Sequence, residues 1–131
     1  MEKRFIQLGA IFGFLAVALG AFGAHGLKKL IDASQLVTFE TGVRYQFYHA
    51  LALLAVGILA GKFPSKRMNW IGWLFVAGIV CFSGSIYLLS TRTVLGIENT
   101  TILGPITPIG GTLFLAGWLI LFLEASKWTK S

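Results

Sequence analysis

Four long runs without a charged side chain most constrain how this chain can fold. The runs lack Lys, Arg, Asp and Glu and extend over residues 5–27, 45–61, 68–91 and 99–123. A helix rises about 1.5 Å per residue, so roughly 20 apolar residues are needed to cross about 30 Å of hydrocarbon. Each of the four runs is long enough, or nearly long enough, to cross the hydrocarbon as a helix. The sequence therefore predicts an all-α integral membrane protein, a compact bundle of four transmembrane helices.

The composition agrees with a membrane protein of one domain. Hydrophobic residues make up 56% of the 131 residues and charged residues 12%, and the mean hydropathy is +0.78. We predict a single membrane domain over residues 1–131, with spans at approximately 5–25, 43–61, 69–91 and 107–125. A cleaved signal peptide is an alternative interpretation of the first run, because Lys3 and Arg4 precede it. Its length and its glycines favour a retained helix.

The distribution of basic residues predicts an orientation, because Lys and Arg accumulate in cytoplasmic loops. Seven fall on one side: Lys3, Arg4, Lys62, Lys66, Arg67, Lys127 and Lys130. Four fall on the other: Lys28, Lys29, Arg44 and Arg92. We therefore predict that both termini are cytoplasmic. The net charge of +6 is scattered among the links without a basic stripe, so nucleic acid is not a predicted partner.

The segment before the second span has helical periodicity of its own. Leu36, Phe39 and Val43 recur at helical spacing from Ser34 onward. We predict an interfacial helical segment that leads into the second span. Glu40 precedes Arg44 by one turn, which is the favourable order for an ion pair on a helix.

Small residues indicate how the helices pack. Helix pairing in lipid depends on close backbone approach and hydrogen bonds rather than on the hydrophobic effect. The predicted packing positions are Gly9, Gly13 and Gly20 in the first span and Gly57 and Gly61 in the second. The same residues could support self-association, so a homo-oligomer is one predicted state.

Two prolines mark the start of the fourth span. Thr107 is predicted as the N-cap and Pro108 as the first helical residue, where its missing N–H is not needed. The preceding residues 94–106 are apolar but interrupted by Gly and Pro. An alternative interpretation makes them a broken helix that lines a substrate path.

Polar side chains near the outer half of the membrane form a candidate cluster. His25 ends the first span and His49 begins the second, so antiparallel helices would bring them near each other, while the third span approaches the same leaflet. The candidates are His25, Glu40, Arg44, Tyr45, Tyr48, His49, Ser83 and Tyr87. The alternative is structural, because such groups also hydrogen-bond neighbouring helices or backbone carbonyls.

Several kinds of chemistry lack support in the sequence. His25, His49 and Glu40 have no metal-ligand spacing, so no metal site or cofactor is predicted. The single cysteine, Cys81, excludes an intramolecular disulfide. Ser83 lacks a nucleophile-elbow motif, and no catalytic residue is predicted. No charged residue occupies the centre of a span, as ion-coupled carriers usually require.

Four co-linear motifs carry a family resemblance. They are L-G-A-F-G-A-H-G-L at 19–27, Y-Q-F-Y-H-A-L-A-L-L at 45–54, F-S-G-S-I-Y-L-L at 82–89 and I-T-P-I-G-G at 106–111. Together they resemble the UPF0382 family of small bacterial membrane proteins, also described as domain of unknown function 423. The resemblance implies a multi-pass protein of the bacterial plasma membrane. It carries no catalytic or binding role to any residue.

Two functional hypotheses follow. The first is a small structural or accessory protein whose partners are the lipid bilayer and further copies of itself. The alternative is binding or transport of a small molecule or lipid at an outward-facing polar cluster. A deep polar cavity at His25, Tyr45, His49 and Tyr87 would favour the alternative, and a closed bundle with bonded histidines would favour the first. An enzyme is the least supported class.

Overall fold

The computed structural model describes residues 2–129, and every regular element in that part of the chain is helical. Lys130, used in the orientation argument, lies outside the described residues. The α-helices are α1 (Glu2–Ala24), α2 (Ala33–Lys62), α3 (Lys66–Gly78), α4 (Gly84–Ser90), α5 (Arg92–Leu95) and α6 (Leu103–Ala125). A 3₁₀ turn covers Leu27–Lys29, and a π-helical segment, Ile79–Ser83, joins α3 to α4.

Four helical stretches are long and apolar enough to cross a membrane. They are Lys3–Lys29, Ala33–Lys62, Lys66–Ser90 and Leu103–Ala125. The predicted all-α fold with four transmembrane helices is therefore confirmed. The third stretch is continuous through the π-helical segment, where the Gly84 N–H bonds the carbonyl of Ile79.

Helix α2 begins well before the second uncharged run because a capping box starts it. The Asp32 carboxylate accepts the Gln35 backbone N–H at 2.8 Å, and the Gln35 side chain accepts the Asp32 N–H at 3.3 Å. The bond from Gln35 lowers the pKa of the Asp32 carboxyl below its ordinary value. The helical segment predicted before the second span is thus the first part of one 30-residue helix.

Helices α1 and α2 pack antiparallel along most of α1. Gly9 lies against Ala50, and Gly20 lies against Val43. A Cβ added at Gly9 would stand 2.8 Å from the Ala50 carbonyl oxygen, so this glycine permits the closest approach on α1. At Gly13 the space is wider, since a Cβ would lie 3.9 Å from that of Ala50. On α2, Gly57 is buried whereas Gly61 is exposed.

Aromatic rings fill the space that glycines leave between the third span and α6. The ring of Phe114 lies where a side chain on Gly78 would be, and that of Phe75 lies against Gly117. At Gly110 the close neighbour is backbone instead of a ring, because the main chain of Phe82 lies where a side chain would be. The buried apolar core consists of Phe5, Ala52, Leu53, Val56, Ala60, Met68, Ile71, Phe75, Ile79 and Phe114.

The first turns of α1, the described residues after α6 and the α2–α3 link share one end of the bundle. Phe5 packs edge to face on Trp73, with ring centroids 5.6 Å apart. Phe63 stacks on Trp128 at 4.2 Å. The link itself has three residues, and the Ser65 hydroxyl caps α3 by accepting the Met68 N–H at 3.1 Å. This arrangement fits an even number of membrane crossings.

The predicted start of the fourth span is wrong. Helix α6 begins at Leu103 rather than at Pro108, which lies inside the helix. Pro105 accounts for the difference, because it is the third residue of α6 and the first four N–H groups of a helix have no intrahelical partner. Thr107 is a helical residue and not the N-cap; its hydroxyl bonds that of Ser85.

Candidate functional site

His49 is a buried polar side chain that lies among aromatic rings of two other spans. Its ring stacks on Phe114 at 3.6 Å between centroids, with an interplanar angle of 10°. Phe75 and Trp118 meet the same ring edge to face at 5.3 and 5.8 Å. The residue is 4% exposed. His49 thus joins α2 to both the third span and α6 inside a set of aromatic rings.

Hydrogen bonds engage both ring nitrogens of His49. The Trp118 indole N–H donates to Nε2 at 3.0 Å. Because indole only donates, Nε2 carries no proton, and the neutral ring holds its proton on Nδ1. Nδ1 lies 2.7 Å from the carbonyl oxygen of Tyr45, to which it donates. Neither nitrogen is left for a metal or a substrate.

A second set of hydrogen bonds joins three spans through Gln46. The Tyr87 hydroxyl donates to Gln46 Oε1 at 2.6 Å, and Gln46 Nε2 donates to the Phe12 carbonyl at 2.8 Å. Nearby, the fully buried Ser83 hydroxyl donates to the Gly42 carbonyl at 2.7 Å. These bonds connect α1, α2 and the third span.

A further bond, between the hydroxyls of Ser85 and Thr107, ties α4 to α6. Ser90 instead bonds back to its own helix, donating to the Ile86 carbonyl at 2.7 Å. Both uses are common for hydroxyls in membrane helices. In the third span, Ser83 and Ser85 therefore bond neighbouring helices, whereas Ser90 bonds its own helix.

The structure does not bring the two histidines together. Gly13 contacts Ala50, so His25 lies about twelve residues along α1 from the level of His49, or roughly 18 Å. His25 is exposed in the turn after α1. Because α2 starts at Ala33, His49 lies in the middle of this helix and not at its beginning. Its ring stacks on Phe114, near the middle of α6.

The remaining cluster candidates face outward. Glu40, Arg44, Tyr45 and Tyr48 are all exposed. Arg44 Nη2 donates to Thr41 Oγ1 at 3.3 Å instead of forming the predicted pair with Glu40. Among the residues that the structure describes, the ion pair is that of Arg67 with Glu124, at 3.7 Å. The predicted cluster thus separates into a bonded interior (His49, Ser83, Tyr87) and an exposed outer part.

A metal site and a binding path would each need a particular arrangement of the polar side chains that the structure describes. Within residues 2–129, no three His, Cys, Asp or Glu side chains are placed to share a metal ion. Two apolar cavities lie on the outside of the bundle, between α1 and α2. The connection before α6 does not line a path either, since Val94, Leu95 and Ile102 are exposed.

Sequence reasoning missed Trp118 and Gln46. Tryptophan favours the membrane–water interface, so one in the middle of a predicted span needs a buried acceptor for its N–H. Gln46 is an amide in an otherwise apolar run, and its donors and acceptor also need partners in lipid. Both signals are present in the sequence, although neither identifies the partner.

These contacts define a small all-helical membrane protein of four spans, with an interior closed by hydrogen bonds and aromatic packing. The chain belongs to the family described as "Protein of unknown function (DUF423)", whose model matches residues 19–111. The predicted resemblance is confirmed.

Relatives match this chain along nearly its whole length. A UPF0382 membrane protein of Staphylococcus saprophyticus, SSP2132, is 48% identical over 125 residues, covering 95% of this chain and 98% of the relative. UPF0382 membrane protein YwdK of Bacillus subtilis is 47% identical over 127 residues, covering 96% and 98%. No solved structure matches the chain.

Proposed function

We propose that the protein is a structural or accessory component of the bacterial plasma membrane, with a closed polar interior that holds its four helices together. The observation that carries this proposal is the bonding of His49, Gln46 and Tyr87. His49 accepts a hydrogen bond from Trp118 on α6. Tyr87 donates to Gln46 on α2, and Gln46 donates to the Phe12 carbonyl on α1. A binding or transport site at these residues would need them to face water or a ligand.

The proposal includes self-association in the membrane. Most of the surface of α1 and α6 is open to lipid, so both helices have room for a second copy. It also includes the orientation with both termini in the cytoplasm, supported by the seven basic residues on the side of the termini against four on the other.

Thiol accessibility tests the closed interior. In a Cys81→Ala background, we expect Ser83→Cys to stay unmodified by a water-soluble maleimide in the folded protein and to react after unfolding in SDS. Ser83 is fully buried, whereas Ser34, at the exposed start of α2, provides the matched control that labels at once. Ser90→Cys, 1% exposed, repeats the test at a site that makes no bond between helices.

Modification of folded Ser83→Cys at the rate of Ser34→Cys would contradict the proposal. It would show that water reaches the interior polar groups, as the binding or transport alternative requires. Circular dichroism of each variant establishes that the helical content is retained before labelling begins.

A further inference from the structure

An open groove runs along the outer seam between α1 and α2, away from the interior hydrogen bonds. It consists of two adjoining cavities of about 320 and 630 Å³ that share Val17 and Phe47 in their walls. Small residues such as Gly13 and Ala50 form part of its wall, and exposed Phe14 lies beside them. The groove is thus a consequence of how closely the small residues let the two helices approach.

The dimensions of the groove fit one lipid chain. On α2 it extends from Val43 to Leu54, which is about 16 Å at 1.5 Å per residue. One leaflet contributes about 15 Å, half of the hydrocarbon thickness. A helix of this length and about 10 Å in diameter would occupy on the order of 1,200 Å³, which is more than the two cavities, of about 320 and 630 Å³, hold together. The groove therefore suits an acyl chain better than a helix of a second copy.

A single positive charge marks one end of the groove. Arg44 is the charged side chain among the described residues that line the two cavities, and Tyr48 lies beside it. The bond from Arg44 to Thr41 uses one N–H of a guanidinium that has five. The others remain for a phosphate group, which the planar guanidinium binds with two parallel hydrogen bonds. Glu40, one turn away, does not neutralise Arg44 here.

We propose that this groove is a binding site for one anionic phospholipid. Its acyl chain lies between α1 and α2, and its phosphate contacts Arg44 at the end of the groove that is nearer the first link. The site goes beyond the proposed structural role, because it shares no residue with the interior bonds of His49, Gln46 and Tyr87. Charge complementarity selects the headgroup, and the apolar walls hold the chain.

Native mass spectrometry of the full chain released from mixed micelles tests the site. The probes are phosphatidylglycerol and phosphatidylcholine with identical acyl chains. We expect one bound phosphatidylglycerol per chain, preferred over phosphatidylcholine by about five-fold, since one basic residue contributes about that factor near an anionic lipid. Arg44→Gln removes the preference. Arg92→Gln, which removes an exposed charge at the same end of the bundle, keeps it.

A second pair of variants tests the groove itself. Val17→Trp fills both cavities from an exposed position and reduces retention of both lipids. Leu115→Trp, on the exposed face of α6, leaves retention unchanged. Equal binding of both lipids by the original chain overturns the proposal, as does equal retention by the two tryptophan variants. A lipid-free dimer broken by Val17→Trp, or displacement by glycerol phosphate alone, also overturns it.

Discussion

At the scale of single residues, the bond between Trp118 and His49 joins two spans that are 69 residues apart in sequence. In hydrocarbon an indole N–H without an acceptor is costly, yet the measured worth of such bonds is modest. The reason is that the unfolded chain in the membrane also finds partners. The bond therefore contributes more to choosing one arrangement of α2 and α6 than to the total stability.

This argument predicts the effect of Trp118→Phe. We expect the free energy of unfolding to fall by about 0.6 kcal/mol, the average for hydrogen bonds between membrane helices, and by no more than about 1.7 kcal/mol, the largest such value. The measurement is an SDS titration followed by circular dichroism. Trp70→Phe is the matched control, because Trp70 is 63% exposed. Equal losses in the two variants would show that the bond to His49 contributes nothing.

At the scale of helices, the backbone separation between α1 and α2 depends on a few positions. A side chain at Gly9 meets the Ala50 carbonyl, which is backbone and cannot move aside, whereas Gly13 has room for a methyl group. Overpacking of this kind costs about 1–3 kcal/mol. Both glycines lie on α1 and face Ala50 of α2. The effect of an added methyl group therefore differs between them only because the helices are closer at Gly9.

We expect Gly9→Ala to lower the free energy of unfolding by about 1–3 kcal/mol. Gly13→Ala should be neutral or stabilising by up to about 1 kcal/mol, because alanine is the better helix former. The same SDS titration compares both variants with the original chain. If Gly13→Ala proves as damaging as Gly9→Ala, the close contact at Ala50 is not what distinguishes them.

The positions of the helices could be predicted, because each helix depends on its local sequence. The contacts between helices could not be predicted in this way. Uncharged runs predicted all four spans, but the capping box at Asp32 lengthened α2 and moved His49 away from the helix end. Pro108 suggested a helix start, but Pro105 occupies the first turn of α6, where a missing N–H costs no intrahelical bond. Which faces meet depends on the whole bundle, so Trp118 could be suspected of needing an acceptor but not matched to His49.

At the scale of the whole molecule, α2 is the central helix. It contacts α1 on one side and the third span on the other, and it reaches α6 through His49. The start of α1, Trp128 after α6 and the α2–α3 link lie at one end of this bundle. The orientation of the protein in the membrane therefore reduces to one question: which end of the bundle faces the cytoplasm.

The proposed orientation predicts opposite labelling at the two ends. In a Cys81→Ala background, Lys66→Cys should be shielded from an impermeant thiol reagent in intact cells, and Asn99→Cys should be labelled. Both positions are exposed, and Lys66→Cys preserves the Ser65 cap of α3. After cell lysis both should react, which controls for local accessibility. The excess of Lys and Arg beside Lys66 is the physical reason, because positively charged loops are retained in the cytoplasm. The reverse pattern would place Arg44, and the lipid proposed at its side, in the cytoplasmic leaflet.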